Sequence, residues 1–163
     1  MLVKLEERLH LDASAHDIWK LLRDTPRLTG LLPGVESVAV LDEPGAEAYV
    51  ATVNDKIGPF KVTMKLQVRV TEALEPTILK ASLKGADSLS QNRMTGFLQV
   101  ALSPEDLGTE MHFEASVEIL GKLATLGAVP MRRRTTQLFG EFARNIQGQF
   151  GQLPQGQFAK ESS

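Results

Sequence analysis

Glu7 is the side chain that first asks to be explained. In the stretch "VKLEERLHL" it keeps phase with Val3, Leu5, Leu9 and Leu11, the positions an alternating strand turns toward an apolar interior. Buried there, a carboxyl would serve as a polar handle for a ligand carbonyl or hydroxyl, or as an acid–base group with its pKa pushed up by desolvation. A bulge or a frayed first strand would instead turn it to water. Other reactive residue types are scarce. The chain has no cysteine, so disulfides, thiolate metal sites and a cysteine nucleophile are all unavailable. His10, His16 and His112 fall on three separate elements, and no His-x-x-x-His or carboxylate spacing marks a metal centre. Neither a Gly-x-Ser-x-Gly elbow, a phosphate-binding loop nor a dinucleotide fingerprint occurs. Asp55, Glu72, Glu75 and Asp87 read as loop or strand-end charges. No catalytic constellation, cofactor or metal is expected.

One cationic group remains. Arg132, Arg133 and Arg134, with Arg144 further on, would suit anionic lipid headgroups or an acidic partner, each worth ~1 kcal/mol beside such a membrane. The ordinary alternative is a solvated helix face, since three consecutive arginines span most of a helix circumference and cannot all point one way.

The chain's bulk properties limit the options further. With a net charge of −2 there is no general attraction for nucleic acid. The N-terminal "MLVKLEERLHL" holds charges where a signal peptide needs an apolar run, and no window approaches the ~18 apolar residues of a membrane span. A cytoplasmic protein is expected, with one domain over residues 1–150. The Gln-, Gly- and Ser-rich tail 151–163 is expected to be flexible.

The elements that must position these groups follow from periodicity. After the first strand, "SAHDIWKLLRD" reads as a helix with Ser14 as N-cap and Ile18, Trp19, Leu21 and Leu22 as its buried stripe. Thr25-Pro26 opens a second short helix, which Pro33-Gly34 ends. From there to residue 120 the period is two. Residues 35–41 and 47–54 read as strands joined by the turn "DEPGAE". In "FKVTMKLQVRVTE", Phe60, Val62, Met64, Leu66, Val68 and Val70 oppose Lys61, Thr63, Lys65, Gln67, Arg69 and Thr71. One wet and one dry face mean antiparallel sheet. Beyond Gly121 the period becomes 3.6, giving a long amphipathic helix over residues 122–150, with a break expected near "GAVP" because Pro130 lacks a backbone N–H. An α+β fold accounts for the pattern: a curved antiparallel sheet of six to seven strands around the C-terminal helix, with two short helices after the first strand. A curved sheet and one helix leave room for a cavity.

Several stretches carry a resemblance: "IWKLLRDTPRLTGLLPGVESV", "IGPFKVTMKLQVRVTE", "GTEMHFEASVEILGKLATLG" and "LFGEFARNI". They are similar to the G-subunit family of carbon monoxide dehydrogenase, within the START-like (SRPBCC) superfamily with its helix-grip fold. The resemblance covers residues 3 to 150. Its most specific parts are the Leu-Pro-Gly-Val segment and "GKLATLG". It implies a cavity for a small apolar molecule, lipid or quinone-like, beneath the last helix. It further implies an accessory role to an aerobic molybdenum carbon monoxide dehydrogenase, linking that enzyme to the membrane or the quinone pool. There are two departures. Some relatives carry a C-terminal hydrophobic anchor where this chain has "AKESS", so contact with a membrane would be peripheral. The segment "GADSLSQNRMTG" also has fewer glycines than the family pattern.

Under that reading Leu31, Leu32, Pro33 and Val35 form a pocket rim; otherwise they staple the helix end onto Trp19 and Leu22. Met64, Leu66, Leu83, Met94, Leu98, Val100, Phe113, Leu126, Leu138 and Phe142 face inward, as ligand lining or as solid core. Glu7 is the one polar candidate. A cyclase- or hydrolase-like enzyme acting on a polyketide-type substrate would need an acid–base pair inside the cavity, and a scaffold protein would have no cavity at all.

Overall fold

A computed structural model describes residues 1–89 and 91–150; the tail 151–163 lies outside the described residues. The chain runs through β1 (Leu2–Leu11), α1 (Ala15–Arg23), α2 (Thr25–Leu31) and β2 (Val35–Val40). It continues as β3 (Ala48–Ile57), β4 (Phe60–Leu74), β5 (Ile78–Asp87), β6 (Asn92–Glu105) and β7 (Gly108–Gly121). A 3₁₀ segment (Lys122–Leu126) then leads into α3 (Ala128–Gln149).

The seven strands form one antiparallel sheet in the order β1-β7-β6-β5-β4-β3-β2. Strands β2 to β7 make a meander, and β1 returns to pair with β7 from Leu2 opposite Glu118 to Leu11 opposite Thr109. The two short helices carry the chain from one sheet edge to the other. Ser14 caps α1 by accepting a hydrogen bond from the Asp17 amide at 3.1 Å, satisfying one orphan donor of the first turn. Helix α3 lies across the concave face, against β1 and β3. Its start departs from the proline-centred expectation. The break falls at Gly127, whose φ of 85° suits a residue without Cβ, and Pro130 sits in the first turn of α3, where its missing N–H costs nothing.

The interior is divided. One cluster joins α1 and the C-terminal half of α3 to the sheet, with Leu11, Ile18, Leu21, Met111 and Ile146 fully buried. A second cluster, at the end where the 3₁₀ segment and the start of α3 lie, contains Val3, Val62, Met64, Ile119, Leu123 and Met131.

Candidate functional site

The second cluster does not close. Between its side chains lies a cavity of about 230 Å³. The concave face of the sheet supplies its floor, including Leu5 of β1, Val53 of β3, Met64 and Leu66 of β4, Met94 of β6 and Val117 of β7. Leu123 of the 3₁₀ segment and Met131 and Leu138 of α3 supply its roof. Three methionines therefore share the wall, and their unbranched thioethers reshape at small cost.

Two local devices keep this space open. Gly85 of β5 pairs opposite Leu66, and a Cβ there would stand 2.9 Å from Leu66 Cδ1 and 3.0 Å from Met64 Sδ. Lacking one, Gly85 lets both side chains lie back against the sheet. The second device is Asn92, a buried polar residue at the start of β6. Its Oδ1 accepts from the Leu123 amide at 2.8 Å, and its Nδ2 donates to Asp87 Oδ2 at 2.9 Å. Asp87 also accepts from the Gln91 amide at 2.7 Å. Burial works to raise the Asp87 pKa, but these donors outweigh it and hold the carboxyl below its usual range. The network fixes the 3₁₀ segment over one end of the cavity.

The polar part of the wall is concentrated on one side. Asp55 of β3 and Arg134 of α3 face each other there, with side-chain exposures of 14% and 32%. Arg134 Nη2 donates to Asp55 Oδ1 at 2.6 Å, and Nε donates to both carboxylate oxygens at 3.2 and 3.1 Å. Hydrogen bonding to Asp55 raises the guanidinium pKa further, so Arg134 stays protonated. Thr135, the third polar lining residue, donates its hydroxyl to the Met131 carbonyl at 2.8 Å.

Of the residues singled out in the sequence, Met64, Leu66, Met94 and Leu138 line the cavity. Val100 and Phe142 belong to the solid cluster, and Phe113 packs against it, its ring tilted against that of Phe139 with centroids 5.4 Å apart. Leu31 and Leu32 pack on that same cluster, as a helix-end staple would; neither they nor Pro33 and Val35 touch the cavity. Leu126 packs at the cavity end against the second cluster, outside the wall itself. Leu83 and Leu98 lie half-buried on the concave face between the two clusters.

Glu7 is also half-buried on the concave face, opposite Phe113 in an unbroken register, so no bulge turns it outward. It too lies outside the cavity wall. The carboxylate that does reach the cavity is Asp55, which falls within β3 and not at a strand end. Its signal in the sequence is the same as that of Glu7: Asp55 shares the inward phase of Val53 and Ile57. Arg134 likewise lies on the apolar stripe of α3, three residues after Met131 and four before Leu138. Arg132, Arg133 and Arg144 are exposed, so the arginine cluster splits between water and the cavity. On the convex face Glu6, His112 and Glu114 each place one ligand atom within 4.8 Å of the others. That group forms only through β1–β7 pairing, which spacing along the chain does not reveal.

A seven-stranded curved sheet gripping a C-terminal helix over an internal apolar cavity defines the START-like helix-grip class. A START superfamily protein from Mycobacterium smegmatis has the same fold, with a TM-score of 0.70 at 15% identity, covering 92% of this chain and 98% of that one. A conserved protein from Geobacillus kaustophilus superposes with a TM-score of 0.78 at 20% identity over 92% and 95% of the two chains. A Rhodobacter sphaeroides protein does so at 0.57 and 22% identity over 93% of each. Within this class the chain belongs to the CoxG family, the G-subunit family of carbon monoxide dehydrogenase, whose model matches residues 8–151. No match is found among curated proteins. No helix among the described residues is long and apolar enough to cross a membrane.

Proposed function

We propose that this protein binds a small apolar molecule, lipid or quinone-like, and serves as an accessory to an aerobic molybdenum carbon monoxide dehydrogenase. The observation that supports it most directly is the apolar cavity beneath α3. An enclosed apolar space of about 150 Å³ is enough to take benzene. At about 230 Å³ the cavity holds one ring or a short chain segment, and a longer molecule would extend through the mouth. Each methylene transferred from water gains ~0.8 kcal/mol, so affinity would come from apolar area. Family membership supports the accessory role, and the exposed Arg132, Arg133 and Arg144 offer a surface for an acidic partner or a peripheral membrane contact. Binding without turnover is the reading favoured by the ionisable groups of the wall. Among the described residues these are Asp55 and Arg134 alone, bonded to each other and not poised as a free acid and base.

Ala115 of β7 lines the cavity, and Ala115→Leu would fill space there with apolar atoms. The expected result is a folded protein that has lost most of its uptake of an apolar fluorescent probe, read by titration and native mass spectrometry. Unchanged uptake in the folded variant, or no uptake by the unaltered protein, would overturn the cavity as the binding site.

A further inference from the structure

Apart from Thr135, the cavity wall is apolar except at one ion pair, and that pair has a definite unused capacity. A guanidinium has five N–H donors. In Arg134, Nε and one hydrogen of Nη2 are engaged by Asp55, and one hydrogen of Nη1 by Gln137 Oε1 at 3.3 Å. The second hydrogens of Nη1 and Nη2 have no partner among the described residues. Two donors of this lining residue are therefore unengaged, but no net positive charge accompanies them. Asp55 cancels the charge of Arg134 at hydrogen-bond distance. Among the described residues no lysine and no second arginine lines the wall.

We propose that the Asp55–Arg134 pair makes the cavity selective for uncharged ligands bearing a hydrogen-bond acceptor, such as an ester or ketone carbonyl, over carboxylates of the same shape. This rests on the cavity being the ligand site. A neutral carbonyl takes a free N–H of Arg134 and brings no charge into an apolar space. A carboxylate must be desolvated to enter and meets the field of Asp55 along with that of Arg134, so the attraction that would offset desolvation is largely cancelled. Arg134 is thus a specificity-determining donor, and Asp55 sets its net charge to zero.

Three single-ring ligands of similar shape test this on the unaltered protein and two variants: methyl benzoate, benzoate and sec-butylbenzene, titrated by calorimetry at neutral pH. The unaltered protein is expected to bind the ester about tenfold or more tighter than both the carboxylate and the hydrocarbon, about what one hydrogen bond to a charged donor contributes. Asp55→Asn leaves Arg134 uncompensated, and the ester-to-carboxylate ratio is expected to collapse to about threefold or less. Arg134→Met is expected to drop the ester to the affinity of the hydrocarbon. A folded Asp55→Asn protein that keeps the original ratio overturns the proposal, as does a folded Arg134→Met protein that keeps the ester's advantage. Should neither variant fold, the unaltered protein decides, because equal affinities for ester and hydrocarbon overturn the role of the donor. Failure to bind any of the three overturns the ligand site itself, a different result from binding without selection.

Discussion

His10 and Asn92 show how differently two polar side chains work in this sheet. His10 lies on the convex face near the end of β1, with Nδ1 2.6 Å from Glu105 and Nε2 3.0 Å from Asp12. The hydrogen bond to Glu105 first, then that to Asp12, raise its pKa above the usual histidine value. A raised value in the folded protein means stabilisation that is complete below the unfolded-state pKa and lost as pH rises through the folded one. Urea unfolding between about pH 6 and pH 9 should therefore show stability falling with pH, and His10→Gln should flatten that fall. Asn92 is buried and works through geometry, not charge. Neither role is legible in the sequence, because both depend on which strands become neighbours. Asp55 and Arg134 are partly legible. Each keeps apolar phase, as Glu7 does, but a strand read over 47–54 stops one residue short of Asp55.

Elements are easier to read than sites. Strict alternation from residue 60 to 71 has one solution, and β4 runs from Phe60 to Leu74 as that pattern requires. The C-terminal helix is legible by its stripe, but not the 3₁₀ turn before it, since Leu123 and Leu126 keep a helical spacing in either geometry. What selects the 3₁₀ segment is tertiary, namely the hydrogen bond from the Leu123 amide to Asn92. Asn92→Ala would strand that buried N–H and should cost about 1–3 kcal/mol in chemical unfolding. The same change should weaken probe binding, because the 3₁₀ segment is the end wall of the cavity. A loss of stability with intact binding would show that the segment does not depend on Asn92 for its place.

At the scale of the molecule, the two halves of the interior should respond unequally to truncation. Ile146 is fully buried in the solid cluster, and Ile146→Ala is expected to cost about 2–5 kcal/mol. Leu138 already faces empty space on one side, so Leu138→Ala should cost less than half as much when both are compared by urea midpoint. Equal costs would mean the cavity wall is packed as tightly as the rest. No pattern in the sequence foretells this division. Apolar phase marks the residues that face inward, but whether they meet across the gap depends on the sheet's curvature and on small residues such as Gly85 and Ala115.

The topology also fixes an order of events. Strand β1 has a single partner, and Leu2 must wait for Glu118 before its ladder can form. During synthesis the first strand emerges long before that complement exists, while the β2–β7 meander can zip up hairpin by hairpin as it appears. Closure of β1 onto β7 can thus come no earlier than the completion of β7, and α3 follows it in the chain. The cavity therefore needs both ends of the chain: β1 must pair with β7 before Val3 and Leu5 can lie opposite Met131 and Leu138 of α3.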